Sequence, residues 1–222
     1  DPGARVSMNY NTGEILALVS ISSYDANKIV LGLTTTEWNN LQNDKNNVMY
    51  NRYLSLYVPG SSLKPVVGAI GLKGNYFTKD DDFGESGTKW QNDESWENLY
   101  VTTLTTYQGP ANLRNAIIYS DNIYFAKAAL KIGRNNLQEG LNDFGFNDKI
   151  EFVQDMSISS YGKMDSDSAI ANSGYGQDQM LVNPIHMAMI YSSFANGGNM
   201  VMPCLEYTDT KYYKMQVISE EI

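Results

Sequence analysis

The chain has 222 residues, of which 42% are hydrophobic and 12% aromatic, so it can bury a sizeable core and one domain is expected. Its formal net charge of −9 argues against nucleic acid as a partner, because such partners need clustered Lys and Arg. The single cysteine, Cys204, excludes an internal disulfide framework and any site in which several cysteines bind a metal. No apolar run approaches the roughly 18 residues that span a bilayer. Because no signal peptide or initiator methionine is present, we expect any anchor to lie upstream of Asp1.

The first predicted element is a β-hairpin over residues 4–20. Polar and apolar residues alternate before an Asn-Thr-Gly turn at residues 11–13, and a mostly apolar run follows it. Thr34–Gln42 has the pattern of a capped helix. The Asn-rich residues 43–53 are predicted to be an extended approach to the next motif.

That motif is Val58-Pro59-Gly60-Ser61-Ser62-Leu63-Lys64-Pro65, followed by an apolar run. It predicts a tight turn that feeds a buried helix, with Ser61 at or beside the first helical residue. Residues three apart share a helix face, so the Ser61 hydroxyl and the Lys64 amine are expected to meet. A helix N-terminus favours a developing oxyanion, and a desolvated lysine loses its proton more readily. The pattern therefore indicates a candidate serine nucleophile, with a lysine or a carboxylate as its base.

Two other Ser-x-x-Lys copies, Ser86–Lys89 and Ser160–Lys163, lie among Gly and Asp and are predicted to be loops. Trp90 and Trp96 are expected to pin residues 74–110 to the body of the protein; lining a cleft is the alternative.

Ser120-Asp121-Asn122 falls between two apolar segments that predict helices, one beginning at Asn112 and one ended by Gly133. Such a triplet can point its side chains into a cleft; the alternative is ordinary helix capping.

Further helices are predicted at Asn135–Phe144, at Asp165–Asn172 and from Asn183-Pro184 to Gly197, and a weak strand at Met202–Tyr213. This order favours an α+β fold. The single histidine, His186, is placed on the polar side of its helix, so a histidine-based triad is not expected. Metal-ligand spacing, phosphate-binding Gly-rich loops and dinucleotide fingerprints are absent from the sequence.

The order of these motifs resembles the transpeptidase domain of penicillin-binding proteins, and most closely the class B, low-affinity, methicillin-resistance type. The resemblance covers nearly the whole chain and rests on the following segments: Asn11–Ser20, Pro59–Pro65, Trp90–Trp96, Ser120–Asn122, Ser173–Gln177, Asn183-Pro184, Met187-Ala188 and Ala195–Gly198.

The resemblance implies an α+β fold of the serine β-lactamase/D,D-peptidase type, with helices packed on an antiparallel sheet. It implies a peptidoglycan D,D-transpeptidase that needs no cofactor or metal and works at the extracytoplasmic face of the bacterial cell membrane. The implied partners are peptidoglycan stem peptides, β-lactam antibiotics and other cell-wall synthesis proteins.

The resemblance also implies a role for each matching residue. Ser61 would be the acylated nucleophile and Lys64 the base that takes its proton. Ser120 would relay a proton near Lys64, and Asn122 would orient Lys64 and the substrate amide. The implied substrate-binding residues are Tyr175, Gly176 and Gln177.

The sequence departs from the family pattern in two places. The third family motif, Lys-Thr/Ser-Gly, is absent, and Asp178 stands where the family usually has glycine. We therefore expect residues 1–222 to be a partial transpeptidase domain that lacks several strands and one cleft wall. On that expectation the chain is weakly stable or dimerises, and it binds penicillin poorly.

Three alternatives remain open at this point. The first is a β-lactam sensor domain, which is acylated and signals without turnover. The second is a class D-like β-lactamase, although the Tyr-Gly-Asn loop typical of that class is not found. The third is a remodelled, non-catalytic homologue.

Overall fold

The chain opens with an antiparallel hairpin of β1 (Gly3–Met8) and β2 (Ile15–Ile21), in a computed structural model that describes residues 2–84 and 87–222. The predicted hairpin is therefore confirmed. The turn between the strands needs a glycine: Gly13 has a φ of +78°, and a Cβ there would lie 1.9 Å from the carbonyl oxygen of Met202.

Two short helices follow, α1 (Ala26–Leu31) and α2 (Thr35–Gln42), and neither has a buried residue. The predicted capped helix is confirmed, because Thr34 and Glu37 form a reciprocal capping box. Residues 43–53 were predicted to be extended, and this is wrong: they form turns that end in a one-turn 3₁₀ helix, Arg52–Leu54. The reason is the nearly buried guanidinium of Arg52, which donates hydrogen bonds to three backbone carbonyls of this segment.

The core lies among the helices α3 (Lys64–Lys73), α4 (Leu113–Ile118), α5 (Asn122–Ile132), α6 (Arg134–Asp143), α7 (Asp167–Ser173) and α8 (Pro184–Ala195). All six agree with the sequence prediction within a few residues. Helices α5 and α7 pack closely, because a Cβ at Gly174 would lie 2.2 Å from the carbonyl oxygen of Phe125. The helix that follows Ser61 and the helix that follows Ser120 are thus held in one core.

Two more antiparallel pairs complete the described strands: β3 (Lys89–Trp90) with β4 (Val101–Thr102), and β5 (Met200–Val201) with β6 (Tyr212–Lys214). The predicted strand over residues 202–213 is wrong in extent, because most of that stretch is an excursion between β5 and β6. The predicted packing role of the tryptophans is supported. Trp96 is buried, and Trp90 meets it edge to face at 5.6 Å between ring centroids.

His186 lies inside the protein, which corrects its predicted place on the polar side of α8. It is 1% exposed, and its Nε2 is 2.8 Å from the carbonyl oxygen of Phe144. A carbonyl can only accept, so Nε2 carries the proton and Nδ1 accepts from the Ser159 hydroxyl at 2.7 Å. Burial lowers the pKa of His186 from 6.5 to about 4. The side chain is a neutral core histidine with both ring nitrogens paired.

Candidate active site

Ser61 lies on a one-turn 3₁₀ helix, Gly60–Leu63, that runs directly into α3. The glycine that opens this turn has a φ of +54°, a conformation that favours glycine. The Ser61 side chain is exposed, whereas Lys64, one turn further, is nearly buried. Tyr191 on α8 donates a hydrogen bond of 2.8 Å to the Ser62 carbonyl and so ties the turn to a second helix.

Lys64 reaches from α3 to the turn that begins α5. Its Nζ donates to the carbonyl oxygen of Ser120 at 2.6 Å, to the Ser120 hydroxyl at 2.9 Å and to Oδ1 of Asn122 at 2.6 Å. An ammonium has three N–H donors, and these three acceptors use all of them. The structure therefore brings together Lys64, Ser120 and Asn122 one turn from Ser61, the arrangement that the family resemblance implied.

The predicted contact between the Ser61 hydroxyl and the Lys64 amine is not a hydrogen bond in the part of the chain that the structure describes. The arrangement of donors explains this, because the ammonium directs its protons at Ser120 and Asn122. Only the neutral amine has a lone pair that could accept the Ser61 proton. Catalytic hydrogen bonds are often long without substrate, so the missing bond does not conflict with the roles predicted for the pair.

Burial sets the charge state of Lys64. It lowers the pKa of the amine from 10.5 to about 8, and the nearby Asp121 carboxylate opposes that shift. With a pKa near 8, about one molecule in ten carries the neutral amine at pH 7. Lys64 is therefore poised to act as a general base near neutral pH.

The Ser120-Asp121-Asn122 turn has both of the roles predicted for it, because one residue caps a helix and the other two direct their side chains towards Lys64. Asp121 is the helix cap, because its Oδ1 accepts from the backbone N–H of Ile123 at 2.8 Å. Ser120 and Asn122 face Lys64 instead. Ser120 has a φ of +53°, an uncommon left-handed conformation for a residue with a side chain.

Asn122 has its amide fixed at both ends. Its Oδ1 accepts from Lys64, and its Nδ2 donates to the carbonyl oxygen of Thr102 at 2.8 Å. Since the second bond needs the nitrogen on that side, the oxygen is directed at the ammonium.

The loop with Tyr175, Gly176 and Gln177 lies against the Ser61 turn. The backbone N–H of Gly60 donates to the carbonyl oxygen of Gly176 at 3.0 Å. Gly176 has a φ of +75°, and a Cβ there would lie 2.2 Å from the Gly60 carbonyl oxygen. Tyr175 is half-buried and its hydroxyl donates to Oδ1 of Asn172, whereas Gln177 is exposed.

Asp178, the residue that departs from the family pattern, has a φ of +63°. Glycine adopts that conformation most easily, and Asp is among the few other residues that tolerate it. The substitution is therefore compatible with the backbone of this loop.

The Ser160–Lys163 copy of the Ser-x-x-Lys pattern is not part of this cluster. Ser160 is in an irregular segment, where its backbone pairs with Leu181, and this agrees with the loop prediction. Ser86 lies outside the described residues.

Three residues that brace the site were not predicted: Thr102, Tyr107 and Tyr191. They contact the motifs from sequence-distant segments, and neither periodicity nor a motif marks them. Within residues 2–84 and 87–222, no group of three or more His, Cys, Asp or Glu could hold a metal ion. In the same residues, no helix has the length and apolar character needed to cross a membrane.

Comparison with known families and structures identifies the family. Residues 3–222 match the family model described as the penicillin binding protein transpeptidase domain, so the chain belongs to that family.

Among curated relatives, penicillin-binding protein 3 of Bacillus subtilis is 39% identical over 227 residues, covering 100% of this chain and 34% of the relative. The peptidoglycan D,D-transpeptidase MrdA of Acinetobacter baumannii is 29% identical over 215 residues, covering 90% of this chain and 31% of the relative. The chain thus spans about a third of the length of these relatives.

Solved structures agree with the family at the level of the fold. Penicillin-binding protein A from M. tuberculosis, a ceftriaxone acyl-enzyme complex, superposes with a TM-score of 0.88 at 22% identity, covering 99% of this chain and 53% of that chain. PBP2 of Pseudomonas aeruginosa, in complex with WCK 5153, gives a TM-score of 0.82 at 27% identity, covering 93% of this chain and 49% of that chain. The predicted α+β, D,D-peptidase-like fold class is confirmed.

Proposed function

We propose that this chain carries the acylation machinery of a peptidoglycan D,D-transpeptidase, with Ser61 as nucleophile and Lys64 as base. One observation carries the proposal: a nearly buried lysine, one turn after an exposed serine, is bound by Ser120 and Asn122. The relatives named D,D-transpeptidase and the acyl-enzyme complex of the structural neighbour support the same chemistry.

In the first step the neutral Lys64 amine accepts the Ser61 hydroxyl proton, and Oγ attacks the carbonyl carbon of the penultimate D-alanine. The carbonyl oxygen becomes an oxyanion beside the positive end of α3. When this intermediate collapses, the C–N bond breaks. The terminal D-alanine leaves with a proton that Lys64 supplies and Ser120 relays.

In the second step the amine of a neighbouring stem peptide attacks the acyl-serine. It loses a proton to the Ser120–Lys64 pair, and the ester bond to Ser61 breaks. Oγ regains a proton, and a new peptide bond cross-links the two stems. A β-lactam enters the same path, but its leaving amine stays tethered and the acyl-enzyme persists.

Tyr175, Gly176 and Gln177 are proposed as substrate-binding residues. Their loop is supported in this role by the backbone contact between Gly176 and Gly60, which places it beside the nucleophile. Gln177 is exposed there and has amide groups that suit a peptide backbone.

We further propose the class B, low-affinity type, supported by the segments Trp90–Trp96 and Ser173–Gln177. Residues 1–222 would be part of a transpeptidase domain at the extracytoplasmic face of the membrane. There it would meet stem peptides, β-lactams and other cell-wall proteins.

The test is acylation by a fluorescent penicillin, followed by mass mapping of the adduct. We expect slow labelling at Ser61 that Ser61→Ala and Lys64→Met both abolish, because one removes the nucleophile and the other the base. Ser160→Ala is the matched control and should label like wild type. An adduct on Ser160, or labelling that survives Ser61→Ala, would refute the proposal.

A second measurement separates transferase from hydrolase. The acyl-enzyme should persist after excess penicillin is removed, because in the described part of the chain no carboxylate is bound to the Ser61 hydroxyl and available to activate a water molecule. Steady, rapid turnover of a chromogenic cephalosporin would instead favour the β-lactamase alternative. A persistent adduct with no cross-linking of stem peptides would favour the sensor.

A further inference from the structure

Residues 101–111, which we call the strap, lie against the Ser120 turn. The strap holds this turn at three points. The Thr102 carbonyl accepts from Asn122 at 2.8 Å, the ring of Tyr107 stacks on Tyr119, and the Tyr107 hydroxyl donates to Oδ2 of Asp121 at 2.9 Å. The stacked rings are 4.6 Å apart between centroids and only 6° from parallel. Tyr107 therefore contacts the residue before Ser120 and the residue after it.

Asp121 is a carboxylate inside the protein. It is 7% exposed, and its contacts are the two N–H groups at the beginning of α5 and the Tyr107 hydroxyl. Among the residues that the structure describes, it makes no direct ion pair. Its charge is therefore screened little by water and reaches neighbouring groups more strongly than a surface charge would.

The ionisable groups around this carboxylate come from three elements. Lys64 faces it from α3, Lys127 lies on α5 itself, and Tyr107 comes from the strap. Asp82, in the loop before the strap, adds a negative charge that acts on Tyr107 and Lys127. Asp121 lies between Ser120 and Asn122, both of which bind the Lys64 ammonium, and its carboxylate raises the pKa of Lys64.

We propose that Tyr107 and Asp121 are positioning residues for the base: the buried carboxylate favours the ammonium form of Lys64, and the Tyr107 hydroxyl moderates that pull by binding the carboxylate. The pair would thus decide at which pH Lys64 becomes neutral. This inference deepens the proposed function and rests on it for one point, the assignment of Lys64 as the base.

The proposal predicts that two nearly isosteric substitutions shift the pKa of Lys64 in opposite directions. Asp121→Asn keeps an oxygen to cap α5 and an amide group to meet Tyr107, but it removes the charge. The pKa of Lys64 should then fall. Tyr107→Phe keeps the ring stack on Tyr119 but removes the donor, so the whole carboxylate charge acts on Lys64 and its pKa should rise.

The experiment follows Lys64 directly by NMR of the ¹³Cε signal in the 222-residue chain, with Lys64→Met used to assign the peak. We expect a midpoint at least half a unit lower in Asp121→Asn and higher in Tyr107→Phe. Half a unit changes the neutral fraction about threefold well below the pKa. In the double variant the Tyr107 change should have no further effect, because the charge through which it acts is gone.

The matched control is Tyr213→Phe, which removes an equivalent hydroxyl-to-carboxylate hydrogen bond to Asp148, 2.7 Å long and remote from Lys64. It should leave the Lys64 midpoint unchanged. The inference is overturned if Tyr107→Phe behaves like this control, or if its effect is equally large without the Asp121 charge. The NMR titration does not need acylation. If the Lys64 midpoint shifts in the expected directions but Ser61 is not labelled, this inference is supported and the proposed function is refuted.

Discussion

Asn122 links the base to the strap, because one end of its amide binds Lys64 and the other binds Thr102. Asn122→Asp preserves the shape but places a negative charge against the ammonium and removes the donor to Thr102. We expect the pKa of Lys64 to rise and penicillin acylation at pH 7 to fall at least about tenfold. The measurement is the rate of labelling at Ser61 across pH.

Asn136→Asp is the control for that substitution. Asn136 also uses its amide nitrogen to reach a backbone carbonyl, that of Ile132, but it lies on α6 away from Lys64. It should label at the wild-type rate. If Asn122→Asp is labelled as fast as the wild type at pH 7 and below, Asn122 does not act on the charge of Lys64.

At this scale, sequence reasoning reached some residues and missed others for a physical reason. Ser61 and Lys64 are three apart on one helical turn, so their proximity follows from helix geometry. Ser120 and Asn122 were identified through the family resemblance, since nothing local fixes their distance from Lys64. Tyr107 was missed because it lies in an irregular segment, and helix α4 separates it in the sequence from its partner Asp121.

Among the structural elements, the Gly176 loop lies tightly against the Ser61 turn. Gly176→Ala would add a Cβ 2.2 Å from the Gly60 carbonyl oxygen, in a left-handed conformation. Strain at positive φ alone costs about 1–2 kcal/mol, and the clash must also displace the turn. We expect a larger loss of unfolding free energy, measured in urea, together with slower acylation.

Gly32→Ala is the control that separates the strain at positive φ from the clash. Gly32 has a φ of +100° with open space around it, so it adds strain without a clash. It should lower the free energy of unfolding but leave acylation unchanged. Equal stability losses and equal acylation in the two variants would show that the loop does not position the Ser61 turn.

The N-terminus of α8 contains a pH-dependent element in His186. The pKa of this group is about 4 in the folded chain and 6.5 without the burial, so the unfolded state binds more protons between these values. Stability is therefore complete above pH 6.5 and falls as the pH drops towards 4. The full loss would be about 3 kcal/mol.

Urea unfolding at a series of pH values checks this against His186→Gln, which cannot titrate. The wild type should lose more stability than the variant between pH 7 and pH 4. Parallel losses in the two proteins would mean that the buried histidine does not contribute to acid sensitivity.

Elements whose beginnings are marked by capping residues in the local sequence were predicted well. Elements that depend on contacts with other parts of the chain were not. The capping box at Thr34 and the Asn183 cap with Pro184 mark helix beginnings in the sequence itself. The turns at residues 43–53 depend on Arg52, whose buried guanidinium gathers carbonyls, and no local pattern records that.

Over the whole molecule, the helical core is well covered while the hairpin is not. β1 and β2 have no buried residue, and Leu16, Val19 and Ile21 on β2 are 62%, 39% and 38% exposed. An apolar strand that is not covered favours association. We expect the 222-residue chain to associate as its concentration rises, measured by sedimentation velocity.

Leu16→Lys should reduce that association, because a lysine on a strand opposes pairing. Leu104→Lys is the control, since Leu104 is 96% exposed but lies on the strap rather than on β2. If the two substitutions weaken association equally, or if the chain stays monomeric at all concentrations, the β2 surface is not responsible.

The central claim is that Lys64 must lose its proton before Ser61 can react, and the pH dependence of Ser61 acylation tests it most directly. With a Lys64 pKa of about 8, the rate should rise about tenfold per pH unit below that value and level off above it. Mass mapping at each pH would confirm that the adduct is on Ser61. A rate that does not change between pH 6 and pH 9 would contradict the account.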